Sequence, residues 1–357
     1  MHSRFHLCAT LLVAALASLA PFASGQSAAT DPVGFVTLSI PGTGGAATNA
    51  ISFKSLGLVQ PISYQGSAET VSLVNKTLTD NDAIWADNQF NGANGAFYIE
   101  IVRPAGQLTA APGEGTTYDI VATNSATKTI TLSQNLDATI VNGTNFKIRK
   151  HWTLGALFGT TNTAGFLGSG GSSTADQIQV WNGTGYDLYF YQIATAPLGG
   201  TGWRSQTDTY ADASGTVIFP DDGIIFRLLQ NNPVNVVIMG AVKTGTSSFP
   251  VSAGFNILAN VYAAPMTLGR CGLQTSGFTG ASSPSTSDQV LLWNGTGYDI
   301  FFYQIATGPL GGTGWRSTND AYGDASATAI PSGAAIIVKR LQPSAFNWVI
   351  PQHPATL

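Results

Sequence analysis

One stretch of twenty-five residues occurs twice in this sequence. WNGTGYDLYFYQIATAPLGGTGWRS begins at Trp181, and WNGTGYDIFFYQIATGPLGGTGWRS begins at Trp293, 112 positions further on. The similarity spans Asp176–Gln230 in the first copy and Asp288–Gln342 in the second, and about two thirds of the positions are identical. Solenoid repeats have shorter periods of roughly 20–50 residues, so self-similarity of this length indicates a duplicated domain.

Both copies have the pattern of β-strands joined by glycine-rich turns. DQIQVW and DQVLLW each end in Asn-Gly-Thr-Gly, whose glycines supply the positive φ angles of a tight hairpin loop. Later segments such as GIIFRLL and VNVVIMGAV are rich in β-branched residues. No long window shows helical periodicity, so the sequence predicts the all-β fold class.

The spacing of short blocks predicts an insertion in the first copy. GFNIL (Gly254–Leu258) lies shortly before TLG in the second copy, whereas GFVTL (Gly34–Leu38) lies far before TLG in the first. We therefore expect two homologous β-sandwich or barrel-like domains, residues 26–60 plus 150–246 and residues 247–357. Residues 61–149 would interrupt the first domain as a small five-stranded β-barrel, with strands at ETVSLVN, AFYIEIV, YDIVAT, TKTITL and NFKIRK.

The N-terminal residues predict export. A short basic start with Arg4 precedes the apolar run Leu7–Ala20, which is too short to span a bilayer comfortably. Small residues then end at Gly25, which predicts a signal peptide over 1–25 and a mature chain that starts at Gln26. We expect a secreted protein, extracellular or at the cell surface, with the periplasm as an alternative, and no transmembrane anchor in the mature chain.

Composition argues against a nucleic-acid partner and against an internal disulfide. Charged residues make up 10% of the chain, and the net charge is −4, which argues against a nucleic-acid binder because such proteins carry basic patches. Cleavage would leave Cys271 as the one cysteine, so no internal disulfide can form. Cys271 is either a buried, inert thiol or part of an intermolecular bridge.

Several blocks resemble an uncharacterised family of secreted, repeat-containing proteins that is abundant in verrucomicrobial bacteria. The blocks are DPVGFVTLSIP, HWTLGALFG, SAGFNILAN and the paired GWRS segments before Asp-Ala-Ser. The resemblance covers nearly the whole mature chain and implies export and a repeated β-domain plan. It supplies no activity, cofactor or catalytic residue to transfer.

The titratable residues predict no catalytic, cofactor or metal site. His151 and His353, the histidines of the mature chain, are not flanked by a nucleophile-elbow pattern, and cysteine and histidine are too few for the usual zinc sites. Equivalent carboxylates are split between the two copies, and aspartates beside Gly and Ser usually cap turns. These carboxylates are Asp187, Asp299, Asp212 and Asp324.

Calcium would need six or more oxygen ligands. Three groups of residues could contribute them, and none follows the spacing of a twelve-residue calcium loop. We expect these side chains to solvate turns instead. The groups are Asp208 with Asp212, Asp320 with Asp324, and Asp80, Asn81 and Asp82.

Aromatic residues give the strongest functional indication. In YDLYFYQ, alternation places Tyr186 and Phe190 on one face and Tyr189 and Tyr191 on the other, so both faces are apolar. Either the strand is central and covered on both sides, or one aromatic face is presented to a ligand. Phe301 replaces Tyr189 in the second copy, which favours packing. We therefore expect the core to include Trp181, Trp293, Phe190 and Phe302.

Sugar stacking is the alternative use of the aromatic residues. Trp203 and Trp315 follow the glycine-rich GGTG segments and are predicted to lie on loops, with Tyr191 and Tyr303 as further stacking residues. The function that the sequence favours is a non-catalytic, modular β-protein of the cell surface, the matrix or adhesion. Carbohydrate binding comes second and a polysaccharide-active enzyme third. The expected partners are extracellular polysaccharide or other surface components, and the oligomeric state is left open.

Overall fold

Antiparallel strands account for nearly all of the regular structure, which confirms the predicted all-β fold class. The structure is a computed structural model that describes residues 31–46, 48–193, 199–305 and 312–351. The predicted signal peptide, Gln26 and His353 lie outside the described residues. Within the described part of the chain, no helix is long and apolar enough to cross a membrane.

The chain begins with β1 (Val33–Ile40) and β2 (Ala50–Lys54) and then enters a seven-stranded sheet. That sheet has the order β3-β9-β6-β7-β8-β5-β4. One residue, Glu69, separates its two edge strands β3 and β4, and the buried residues of the sheet form one core cluster. The strands are β3 (Ile62–Ala68), β4 (Thr70–Ser72), β5 (Thr77–Thr79), β6 (Phe97–Val102), β7 (Thr117–Asn124), β8 (Thr129–Leu132) and β9 (Thr144–Lys150).

The prediction of five strands for this segment is wrong. The sequence pattern missed β3 and β5, and the strand that it predicted at ETVSLVN extends beyond β4. Strand β3 has the sequence ISYQGSA, whose polar residues and glycine weaken the strand signal. Gly66 is needed there because a Cβ at this position would lie 1.9 Å from a carboxylate oxygen of Asp80.

The first repeat follows. It forms a five-stranded sheet of order β13-β12-β11-β15-β2 and two strand pairs, β1 with β16 and β10 with β14. A short helix, Leu154–Phe158, begins after Thr153, whose hydroxyl accepts a hydrogen bond from the backbone N–H of Ala156. The strands are β10 (Trp152–Thr153), β11 (Gln177–Trp181), β12 (Tyr186–Gln192), β13 (Gly202–Ser205), β14 (Val217–Ile218), β15 (Ile224–Leu228) and β16 (Val234–Ala241).

The second repeat has the same topology. Its five-stranded sheet has the order β18-β24-β20-β21-β22, and its strand pairs are β17 with β25 and β19 with β23. A four-residue helix, Leu273–Ser276, follows β19. The strands are β17 (Ser247–Val251), β18 (Gly254–Ala259), β19 (Met266–Thr267), β20 (Gln289–Trp293), β21 (Tyr298–Gln304), β22 (Gly314–Ser317), β23 (Ala329–Ile330), β24 (Ala335–Arg340) and β25 (Phe346–Ile350).

Strand pairing corrects the alignment of the two GF blocks. GFVTL lies in β1, which pairs with β16, whereas GFNIL lies in β18, which pairs with β24. The strand equivalent to β18 is β2, because Ile225 pairs with Phe53 as Ile337 pairs with Ile257. The strand equivalent to β1 is β17. The shared dipeptide therefore marks two different strands.

Each repeat encloses its own core between the five-stranded sheet and the longer strand pair, and a further cluster joins the two sheets. Phe190 and Phe302 are fully buried, but they lie outside the two clusters that form these cores and contact Tyr210 and Tyr322, with ring centroids 5.8 and 5.9 Å apart. Trp181 and Trp293 are only partly buried and pack against the cluster between the sheets, so their predicted place in each domain's own core is wrong. That joining cluster consists of Phe53, Ile225, Ile257, Ala335 and Ile337.

The residues from Asp31 onward form one compact unit. The seven-stranded sheet uses only residues between 62 and 150, and each five-stranded sheet uses strands of one repeat. The domain boundaries stay a prediction, because the contacts do not divide this unit further.

Candidate functional site

The tryptophans predicted to lie on loops are in the core. Trp203 and Trp315 lie in β13 and β22, and they pair with Tyr191 and Tyr303 of the neighbouring strands. Both indoles are fully buried, and Nε1 of Trp203 donates a hydrogen bond to the carbonyl of Gly159 at 2.7 Å. The predicted loop placement is wrong because the glycine-rich segment ends where strand pairing resumes. A buried indole face is closed to a sugar.

Different aromatic residues reach the surface, at the ends of the repeated hairpin. Trp181 and Tyr186 flank the first Asn-Gly-Thr-Gly turn, with ring centroids 5.0 Å apart and ring planes at 67°. Trp293 and Tyr298 flank the second turn, at 5.1 Å and 66°. Tyr186 is 44% exposed and Tyr298 is 37% exposed, so these two rings are accessible to a ligand.

The turn itself holds each aromatic pair in place. The side-chain oxygen of Asn182 accepts hydrogen bonds from the backbone N–H groups of Thr184 and Gly185, at 3.1 and 2.9 Å. Asn294 makes the same two bonds in the second copy, at the same distances. Asn favours turns because its side chain can bond to the backbone in this way. Both hairpins therefore present their rings in the same geometry.

The two pairs meet where the repeat sheets pack together. The ring of Phe53 lies 5.7 Å from both Trp293 and Tyr298, and Nε1 of Trp293 donates to the carbonyl of Ile51 at 2.9 Å. Partial burial, followed by the proximity of Tyr186, raises the pKa of Tyr298. Its phenol therefore stays neutral and can donate or accept a hydrogen bond. The aromatic cluster comprises Phe53, Trp181, Tyr186, Trp293 and Tyr298.

The repeated carboxylates cap turns, as their sequence context predicts. Asp212 accepts hydrogen bonds from the backbone N–H and the hydroxyl of Ser214, at 3.0 and 2.8 Å. Asp324 makes the equivalent bonds to Ser326, at 2.9 and 2.7 Å. These bonds lower the pKa of both carboxyl groups.

Asp187 and Asp299 bind the hairpin turn. Asp187 accepts a hydrogen bond from the side-chain amide of Asn182 at 2.9 Å, and Asp299 accepts one from Asn294 at 3.0 Å. Asp299 also accepts a bond from Asn319 at 2.9 Å. Both carboxylates are thus part of the turn that holds the aromatic pair.

One of the proposed oxygen clusters assembles in part. The carboxylates of Glu69, Asp80 and Asp82 lie within 4.8 Å of one another, and they form the one such group among the described residues. Their bonds stabilise the loop: the Tyr64 hydroxyl donates to Asp80 at 2.7 Å, and the backbone N–H of Asn81 donates to Glu69 at 2.7 Å. Around Asp208 and Asp320 the described residues form no group of three such ligands. Sequence reasoning missed Glu69, which lies on the short connection between β3 and β4.

A buried ionic network joins the seven-stranded sheet to the rest of the chain. Glu100 on β6 forms ion pairs with Arg149 on β9, at 3.0 Å, and with Lys243 beyond β16. Arg149 also contacts Asp31 and donates to the carbonyl of Gln60 at 2.8 Å. Burial raises the pKa of Glu100, but the two cations outweigh it and hold the pKa at about 2. Sequence reasoning missed this network because its members are far apart in the chain.

His151 lies beside this network, at the end of β9. Its Nε2 atom is 2.9 Å from a carboxylate oxygen of Asp119, and its ring packs against Tyr98 with centroids 4.6 Å apart and ring planes at 39°. The ring also contacts Phe219 edge-on at 5.1 Å. These contacts make His151 a packed residue between β9 and β10.

Asp221 and Asp222 are neighbouring carboxyl groups whose pKa values are both raised by burial. Asp222 lies on the loop before β15 and accepts the backbone N–H of Phe219 at 2.7 Å. Burial, followed by the charge of Asp221, raises the pKa of Asp222 to about 8. The same loop bonds to the second repeat, because the Asp221 carbonyl accepts the N–H of Ala259 at 2.9 Å. Asp222 thus forms part of the contact between the repeats.

Cys271 is free and buried, consistent with the first of the two alternatives for this thiol. Its Sγ donates to the carbonyl of Leu268 at 3.1 Å. Burial raises the pKa of the thiol to about 12, which disfavours the reactive thiolate.

Comparisons with protein-family models, with curated proteins and with solved structures find no match for this chain. The class of protein is therefore defined by the fold alone: an all-β protein with two copies of one five-stranded sheet and a separate seven-stranded sheet.

Proposed function

We propose that this protein is an exported, non-catalytic, modular β-protein that acts as a component of the cell surface, the matrix or adhesion. The proposal depends on one observation, which is that the protein's carboxylates bond to its own turns and cations. The repeated aspartates bind their own turns, and the buried Glu100 is ion-paired to two cations. Charges that hold strands and sheets together serve a rigid scaffold. The resemblance to secreted repeat proteins supports the same interpretation.

Export and location can be tested directly. The full-length chain with a C-terminal tag should be recovered from the culture medium or from the cell surface, with an N-terminus at Gln26. Mass spectrometry of each cell fraction would identify that terminus. Recovery of an uncleaved chain from the cytoplasm alone would contradict the proposal.

Carbohydrate binding at the aromatic cluster is the second candidate function. Tyr and Trp offer an apolar ring with a polar tip, which suits a ligand that has both apolar faces and hydroxyl groups. Tyr186 and Tyr298 are accessible, they carry phenol groups, and they lie on equivalent hairpins. Two equivalent tyrosines in one cluster favour an extended ligand, because its contact with the second tyrosine is then intramolecular. An extended polysaccharide is such a ligand.

The test compares the mature protein with a double variant, Tyr186→Ala with Tyr298→Ala, on insoluble cellulose, xylan and chitin. Binding that falls at least tenfold in the double variant would support the aromatic cluster as the site. Ile84→Ala is the matched control, because Ile84 is a highly exposed apolar residue on the connection between β5 and β6, outside the aromatic cluster. Equal retention of the wild type and the double variant would rule out this site.

The enzyme hypothesis stays third, and the raised pKa of Asp222 is the observation that favours it, since perturbed carboxyl groups cluster at active sites. Release of reducing sugar from the same polysaccharides is the relevant assay. We expect none. Release that disappears in Asp222→Asn would replace the scaffold proposal with an enzymatic one.

A further inference from the structure

Strands β1 and β16 form a ribbon with one uncovered apolar face. Phe35 pairs with Met239, and both side chains are 73% exposed. Val33 and Val237 are also exposed, and they extend the same face along the ribbon. Contiguous apolar surface of this kind commonly marks an interaction site.

The ribbon also has a free edge. Among the described residues β1 pairs with β16 alone, so the outward backbone groups of this eight-residue strand lack a strand partner. Neither VGFVTLSI nor VNVVIMGA contains a charged residue. Natural edge strands are usually protected by charges, prolines or a covering segment, and β1 has no proline or charge.

The second repeat shows how the same edge is covered elsewhere in this chain. On the equivalent strand β17, the backbone N–H of Ser248 donates to the carbonyl of Gly115, which lies before β7 in the seven-stranded sheet, at 3.1 Å. Glu114 accepts the N–H of Thr246 at 3.2 Å, and Thr246 is buried. Thr246 directly precedes β17, and its counterpart in the first repeat is the exposed Phe35, which lies within β1.

Proline also protects the second repeat. Pro250 lies in β17 at the position that Ser39 occupies in β1, because Pro250 pairs with Asn347 as Ser39 pairs with Asn235. Proline has no N–H, so Pro250 donates no hydrogen bond to β25, and the backbone nitrogen at this position faces away from β25. The N–H of Ser39 therefore points to the free edge of β1.

We propose that the free edge of β1 pairs antiparallel with the β1 edge of a second copy of this chain. Antiparallel self-pairing is two-fold symmetric, so one edge satisfies the backbone groups of both copies. The resulting sheet has the order β16-β1-β1-β16 and places the two rows of apolar side chains side by side. An uncharged edge matches an uncharged edge, whereas a charged partner segment would bring its charges beside Phe35 and Met239. The surface is independent of the aromatic cluster and of the proposed function.

The test is the molar mass of the mature protein in solution, measured by light scattering after size-exclusion chromatography. The wild type should be a dimer at about 100 µM and dissociate on dilution. Ser39→Pro should weaken the dimer at least tenfold, because it removes the edge donor at a position where β17 already accommodates proline. Val237→Lys should do the same by placing a charge on the apolar face.

Val349→Lys is the matched control, because Val349 occupies the position of Val237 in the second repeat and is also exposed. It should leave the dimer unchanged. Circular dichroism and thermal melting of each variant establish that it is folded. A monomeric wild type at the highest concentration, or a dimer that persists in Ser39→Pro and Val237→Lys, would overturn the proposal. Binding of the monomer to lipid vesicles through this face would also overturn it.

Discussion

The two repeats share every strand pairing, yet they differ in the side chain that bonds to one buried aspartate. In the second repeat, Asp288 forms an ion pair with Arg340 at 2.6 Å, and both side chains are buried. In the first repeat, the position of Arg340 is occupied by the buried Leu228, and Asp176 accepts a hydrogen bond from the side-chain amide of Gln230 at 2.7 Å. The same sheet therefore accommodates either a guanidinium group or an apolar side chain.

In both copies the aspartate accepts hydrogen bonds from the same two backbone positions. Asp176 accepts the N–H groups of Leu167 and Leu229, each at 2.7 Å. Asp288 accepts those of Thr279 and Leu341, each at 2.8 Å. Each carboxylate thus ties the loop before β11 or β20 to the end of β15 or β24. The ion pair is an addition to this shared role.

The largest effect is expected where the seven-stranded sheet is joined to the repeats. Glu100→Gln would leave the buried Arg149 and Lys243 without their shared carboxylate, and breaking a buried ion pair costs about 3–5 kcal/mol. Chemical denaturation should show this loss. Glu69→Gln, a change of an exposed carboxylate on the same sheet, is the control and should cost far less.

The same residue predicts a pH dependence. The pKa of Glu100 is lowered from 4.5 to about 2 in the folded protein, so the folded state binds this proton less readily than the unfolded chain. Its contribution to stability is full above about pH 4.5 and is lost as the pH falls towards 2. Glu100→Gln should lack this part of the acid sensitivity. If the free energies of unfolding of the variant and the wild type differ by the same amount at pH 7 and at pH 2, the assignment is contradicted.

The next largest loss of stability is expected to differ between the two repeats. Asp288→Asn would leave Arg340 as a buried cation without its carboxylate, at about 3–5 kcal/mol. Asp176→Asn keeps one oxygen acceptor and leaves no buried cation, so it should cost about 1–3 kcal/mol. Denaturation of the two single variants measures both values. Equal losses would mean that the Arg340 ion pair contributes little and that the shared backbone bonds account for the whole effect.

The sequence predicts features that are local. The hairpin over Trp181–Tyr186 follows from an Asn-Gly-Thr-Gly turn between alternating strands, and the structure has the strand pairing that this pattern requires. The buried Phe190 follows from the apolar character of both strand faces. Such signals lie within a few residues of one another, and the all-β class follows from their sum.

The sequence could not predict features that depend on pairing between distant segments. The GF dipeptides suggested one strand, but the register places them on β1 and β18. Trp203 follows three glycines and a threonine, and only its pairing with Tyr191 shows that it lies in a strand. The aromatic cluster had a signal that went unused, because Tyr186 and Tyr298 flank exposed turns in both copies.

The smallest effect tests the tryptophan cores of the two repeats. Trp203 and Trp315 are equivalent and fully buried, but Nε1 of Trp203 donates to the carbonyl of Gly159, whereas Nε1 of Trp315 has no partner among the described residues. Trp203→Phe would remove one of the two hydrogen bonds that this carbonyl accepts, the other coming from the N–H of Asn162 at 3.0 Å, so it should cost about 0.5–1.5 kcal/mol beyond the change in volume. Trp315→Phe removes an unsatisfied N–H, so it should cost only the loss of packing.

Melting of the two variants, followed by tryptophan fluorescence and by calorimetry, compares these costs. Trp203→Phe should be the less stable protein, because the loss of volume is the same and only this variant loses a hydrogen bond. Alanine at either position removes the ring and should cost about 3–5 kcal/mol in both repeats, which tests whether the two packing environments are equal. If Trp315→Phe is the more damaging change, the indole N–H of Trp315 has a partner in solution, and the two cores are more alike than their loops suggest.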